Sequence, residues 1–166
     1  MKLNMQIDIG FGDIVYPSPE KLKLPTMLEF PAPIMLCYSR ESLIAEKFEA
    51  MLKLRELNSR MKDFYDIWLL SRHFGFEGET LSEAIRLTLE QRGTELPDEV
   101  VAFSNEFVAA KQTQWNAFRK KLEQDHVPAK FEGIVNKVRE FIDPIASALA
   151  SRKSPPSKWS ASGPWA

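Results

Sequence analysis

The chain has 166 residues, 44% of them hydrophobic, with 22 Lys and Arg against 23 Asp and Glu, giving a net charge of −1. This is enough apolar material for one domain with a true core, and near-neutrality without a block of like charge argues against a constitutive nucleic-acid coat while leaving room for a local basic groove. The single cysteine, Cys37, excludes an internal disulfide and a cysteine zinc site, and His73 and His126 lack metal-ligand spacing. The polar start and the lack of any apolar run of about 18 residues lead us to expect no secretory signal, no membrane partner and a soluble, cytoplasmic protein.

Residues 5–16 alternate, with Met5, Ile7 and Ile9 on one face and Gln6, Asp8 and Gly10 on the other, which predicts a strand. Gly10 and Gly12 then allow a bulge or a close backbone approach. Five prolines between Pro17 and Pro33 predict a loop or edge ribbon, followed by a short strand at Ile34–Tyr38. From Ser39 the period becomes helical, with helices expected near 39–57, 60–74, 80–91, 97–124 (broken or continuous) and 128–149. Thr80-Leu81-Ser82-Glu83 matches a capping box opening the third, and Gly93 is placed to end it. Pro128 marks a helix start and Pro144 a late kink or stop. From Ser151 the composition is that of a disordered tail, in which Trp159 and Trp165 read as incidental.

The residue that stands out is Lys47. At about 100° per residue it falls among Leu43, Ala50, Met51 and Leu54, on the apolar arc of its helix, while Glu46, Glu49, Lys53 and Glu56 take the polar face. A lysine so placed snorkels, pairs with an acid, or lines a site. On the next helix, which Asn58 or Ser59 is suited to cap, Asp63 lies with Ile67, Leu70 and Phe74 on the apolar side, and Asp66 lies with Lys62 and His73 on the polar side. An isolated buried charge costs several kcal/mol, so Lys47 and Asp63 are the simplest partners for each other. The pair reads equally as a structural ion pair or as part of a site.

Three further segments accompany this pair: Gln6-Ile7-Asp8-Ile9-Gly10-Phe11-Gly12-Asp13, Phe30-Pro31-Ala32-Pro33, and Glu41 to Met51 with its Ala45-Glu46-Lys47. With Asn58-Ser59-Arg60-Met61-Lys62-Asp63-Phe64-Tyr65-Asp66-Ile67-Trp68, they make residues 5–150 resemble the C-terminal part of the AbiEii/AbiGii nucleotidyltransferase toxins of type IV toxin–antitoxin systems. The resemblance implies an α+β fold: a partial polymerase-β-like sheet of few short strands over residues 1–38, a helical bundle over 39–150, and the tail 151–166 outside it. It also implies transfer of a nucleotide from a nucleoside triphosphate to an acceptor, tRNA for several members, with magnesium, alongside a cognate antitoxin in phage defence. By the same resemblance Lys47 is the catalytic lysine, and Asp63 or Asp66 the acid that orients it or activates the acceptor. Asp8 is then the metal ligand. Arg60 and Lys62, near the start of the second helix, read equally as phosphate contacts and as solvated surface.

The sequence departs from the family at its first motif, a Gly-Ser turn followed by an Asp-x-Asp strand, which does not occur before Asp8. Two-metal phosphoryl chemistry needs such carboxylates, and one aspartate does not make the site. The expectation is an N-terminally incomplete transferase. The alternatives are a non-catalytic remnant or binding module contacting RNA or the antitoxin, and a helical scaffold in which Lys47–Asp63 only fixes register. Tyr65 and Trp68 read as core rather than as substrate contacts.

Overall fold

The computed structural model describes residues 12–166. The strand expected at 5–16 lies outside the described residues as far as Phe11. The remaining segment, Gly12 to Tyr16, is not strand: Gly12 turns with φ +81 in open space, so its glycine serves the backbone conformation and not a close approach. Tyr16 is tied to the start of the first helix, its N–H donating to Ser42 Oγ at 2.7 Å and its carbonyl accepting from Ser39 and Ser42.

The proline-rich ribbon carries a strand, β1 (Glu20–Lys23), antiparallel to β2 (Ile34–Cys37) with Leu22 opposite Met35. Nothing else among the described residues pairs with either strand. The ribbon stands off the core, leaving Leu22, Leu28, Phe30, Ile34, Met35 and Leu36 exposed. An apolar surface of this kind is what other chain segments or partners cover.

Helix α1 (Arg40–Leu54) starts where Ser39 Oγ accepts the N–H of Ser42, and a single 3-10 turn, Arg55–Leu57, follows it. Asn58 Oδ1 then takes the N–H of Arg60 at 2.8 Å, a side-chain turn that redirects the chain into α2 (Met61–His73). Two-residue β3 (Phe76–Glu77) leads into α3 (Gly78–Arg92), which Gly93 ends in the left-handed conformation as expected. After Pro97 comes a 3-10 turn at Val101–Phe103, then α4 (Asn105–Leu122), capped by Ser104, and α5 (Phe131–Ser151). The helices enclose a core of Ile44, Phe48, Phe64, Ile67, Trp115, Phe131 and Phe141, with Tyr65 and Trp68 also buried.

Three expectations are corrected here. Pro144 does not stop its helix: α5 continues to Ser151 because Ile145, Ala146 and Ala148 beyond it are buried in the core. Helix α3 does not open on the Thr80 capping box; it starts at Gly78, whose N–H donates 2.9 Å to the carbonyl of Ser157. The third concerns the tail, which is not disordered. Lys158–Trp159 forms β4, antiparallel to β3, and Trp159 is 1% exposed. Its indole stands edge-on to Phe141 at 4.9 Å, and Trp165 stacks parallel to Phe141 at 5.6 Å while meeting Trp159 edge-on at 5.4 Å, so the aromatic burial outweighs the polar composition.

Candidate functional site

Lys47 leaves α1 toward α2 and ends between two carboxylates. Its Nζ lies 3.0 Å from Asp63 Oδ1 and 2.7 Å from Asp66 Oδ2, with the lysine side chain 10% exposed and that of Asp63 only 3%. The burial of Lys47 and Asp63 and their pairing follow the helical-wheel reading. Asp66 keeps Lys62 as its neighbour on the polar side and also meets Lys47. It is three residues from Asp63, one helical turn away, and the long lysine stem reaches both acids.

Arg60 and Lys62, at the start of α2, close the cluster from the solvent side. Arg60 Nε lies 2.7 Å from Asp63 Oδ2, but off the N–H direction, so this oxygen receives charge without an aligned hydrogen bond among the described residues. Lys62 Nζ lies 2.6 Å from Asp66 Oδ2. Among the described residues three cations thus face two carboxylates, leaving one net positive charge at the mouth, where Arg60 and Lys62 are the exposed members.

Burial alone pulls the Lys47 pKa down, but hydrogen bonds to Asp66 and Asp63, with their charges, outweigh it and hold the group above the ordinary lysine value. At neutral pH Lys47 is an ammonium, a donor and not a base. One N–H group is hydrogen-bonded to Asp63 and Asp66 lies 2.7 Å away as a charge partner, so among the described residues the ammonium keeps a donor for a further acceptor. A raised lysine pKa stabilises the fold fully below the unfolded value, about 10.4, and that stability is lost as pH rises through the folded value. Alkaline titration of stability is therefore expected to show a loss above pH ~10.4 that Lys47→Met lacks.

The opposite side of α1 carries a second ion cluster that the sequence reading missed. Glu49, assigned to the polar face, is 1% exposed; its carboxylate accepts from Arg92 at 2.9 Å and from Thr94 Oγ1 at 2.7 Å. Arg92 also meets Asp13 at 3.2 Å and Glu46 at 3.9 Å, so three acids share one cation. Burial pushes the Glu46 carboxyl up, against the pull of Arg92 and with the help of Asp13. A raised acid favours folding below its unfolded pKa and loses that contribution as pH rises through its folded value. Glu46→Gln is accordingly expected to raise the urea midpoint at pH 7 and give no gain at pH 3.

Asp63 and Asp66 do not fit a magnesium ion, since each is already neutralised by two cations. Among the described residues no three His, Cys, Asp or Glu side chains are grouped to hold a metal. Asp8, the expected metal ligand, lies outside the described residues. Tyr65 is buried, its hydroxyl donating to Gln124 at 3.0 Å, which suits a packing role. Arg72 stacks over Trp68 at 4.8 Å and takes no part in the cluster. A groove of about 990 Å³ lies elsewhere, between residues 96–107 and α5; Asp98, Glu99 and Glu106 make it unsuited to phosphate.

No helix among the described residues is long and apolar enough to cross a membrane. No curated protein and no solved structure matches the chain. A family model described as nucleotidyl transferase AbiEii toxin, type IV TA system, matches residues 1–137, which include the whole Lys47–Asp63–Asp66 cluster. The chain belongs to the AbiEii nucleotidyl transferase toxin family of type IV toxin–antitoxin systems.

Proposed function

We propose that this chain supplies the lysine–aspartate side of a centre that moves a nucleotide from a nucleoside triphosphate to tRNA, in the cytoplasm, within a system that includes a cognate antitoxin. The observation that supports this reading is the position of Lys47: an ammonium held between Asp63 and Asp66, with an N–H uncommitted among the described residues and two exposed cations beside it. In that arrangement Asp63 and Asp66 fix the direction of the ammonium, whose remaining N–H donates to a phosphate oxygen and offsets charge there as the phosphorus–oxygen bond breaks. Arg60 and Lys62 draw the triphosphate or the RNA backbone to the mouth. Magnesium belongs to this reading through the family, with Asp8 and a Gly-Ser/Asp-x-Asp segment outside residues 1–166 as its carboxylates.

The test is transfer of label from each of the four α-labelled nucleoside triphosphates to tRNA, with magnesium. It is run on residues 1–166 and on the chain extended by any in-frame upstream coding sequence. Label is expected in tRNA from the extended chain and lost on Lys47→Ala; full activity in that variant contradicts the proposal. A second reading draws on the exposure of Arg60 and Lys62: a module that contacts RNA without transferring to it. That reading requires tRNA binding by residues 1–166 that weakens steeply with salt, with no labelling by any form.

A further inference from the structure

Residues 157–166 lie beyond the family match and fold back onto the helix that carries the two acids. The last turn of an α-helix leaves carbonyls without partners, and in α2 those of Ser71 and Arg72 are met by the tail. Trp159 Nε1 donates to the carbonyl of Ser71 at 2.7 Å, the N–H of Ser162 donates to the same carbonyl at 3.0 Å, and Ser162 Oγ donates to that of Arg72 at 3.3 Å. From the other side, Trp165 Nε1 donates to the carbonyl of Phe141 at 2.9 Å, in the middle of α5. The segment therefore bridges the carbonyl end of α2 to α5.

The seat is shaped for this one pose. A Cβ on Gly78 would stand 1.8 Å from the carbonyl oxygen of Pro156, so only glycine at the start of α3 lets the tail approach. A Cβ on Gly163, at φ +84, would stand 2.5 Å from the Trp159 ring. Both partners of the contact thus depend on a glycine. Asp66 lies five residues before Ser71, about 7.5 Å along the helix axis, so the clamp acts on the same rigid segment that presents the acids.

We propose that Trp159, with the segment around it, is a positioning residue: by holding the carbonyl end of α2 it sets where Asp63 and Asp66 meet Lys47. Its relevance to transfer rests on the reading above, but its effect on geometry does not. Without the clamp, the end of α2 frays and the helix rocks against α1, and the Lys47 ammonium is released from its two carboxylates for part of the time.

The experiment is trace acetylation of the full chain by a lysine-selective reagent, without nucleotide and well below the melting transition. Lys47 is quantified by mass spectrometry against exposed Lys120. Trp159→Ala and Gly78→Ala are each expected to raise the relative rate at Lys47 by about fivefold. Trp159→Phe, which keeps a ring in the seat and removes the indole donor, gives a smaller rise of the same sign, and it decides the matter should the alanine variants fail to fold. A lower melting temperature with an unchanged Lys47 rate in the folded variants overturns the proposal and leaves the tail a structural strap. If Lys47 becomes more reactive while transfer by the same variants stays at the parent rate, the clamp stands and the transfer reading fails.

Discussion

Arg92→Ala is expected to destabilise the protein by about 3–5 kcal/mol, because it leaves buried charge without compensation. Glu49 is 2% exposed at its side chain and among the described residues depends on Arg92 and Thr94 alone, while Asp13 and Glu46 lean on the same guanidinium. For a chain of this size the loss lowers the melting temperature by about 10 °C. Its pH dependence carries a sign. With Arg92 gone the pull that opposes burial at Glu46 disappears, so that carboxyl rises further. A raised acid loses its favourable contribution as pH increases, and the deficit relative to the parent is therefore larger at pH 8 than at pH 4. Urea unfolding at the two pH values measures it; a deficit independent of pH would mean that the arginine acts through packing alone.

Lys47→Met is expected to cost about 3 kcal/mol, since among the described residues Asp63 keeps only Arg60, through one long hydrogen bond of 3.4 Å and an off-axis contact, and Asp66 only Lys62. Adding Asp63→Leu should recover most of that loss. The double variant replaces a buried ion pair by apolar groups of similar volume, an exchange that is often neutral or stabilising. A double-mutant cycle on urea midpoints reads the recovery as a coupling energy, expected at about 2 kcal/mol. No recovery would show that Arg60 and Asp66 hold the cluster without the lysine–Asp63 pair.

How much of this was legible in the chain follows from how far apart the partners lie. Lys47 and Asp63 stand on neighbouring helices, and helical periodicity alone turned them toward each other. Asp66 lies beside Lys62 as the wheel places it, but its second partner, Lys47, escapes a wheel that carries no side-chain length, because a lysine stem spans the distance between the two aspartates. Glu49 was misread for another reason: its burial depends on Arg92, 43 residues away, and local periodicity has no access to that partner. The tail shows the same limit more strongly. Ser-Pro-Pro-Ser and its neighbours have the composition of disorder, but the order comes from Trp159 finding Ser71, 88 residues earlier. The Thr80 capping box failed with it, since the tail carbonyl of Ser157 takes the Gly78 N–H and starts the helix early. The β1–β2 ribbon, read from its prolines and its apolar run, is present with the expected second strand.

Family membership joins these observations to a chemistry, and the ammonium of Lys47 is where the two meet. The most direct measurement compares labelled nucleotide transfer to tRNA by the parent, in whichever form of the chain transfers, with the same form carrying Lys47→Met and Asp63→Leu together, after circular dichroism and urea unfolding have established that the double variant is folded. Folded protein with transfer reduced to background is the predicted result. A folded double variant that labels tRNA at the parent rate would contradict it and make the cluster a device for helix register.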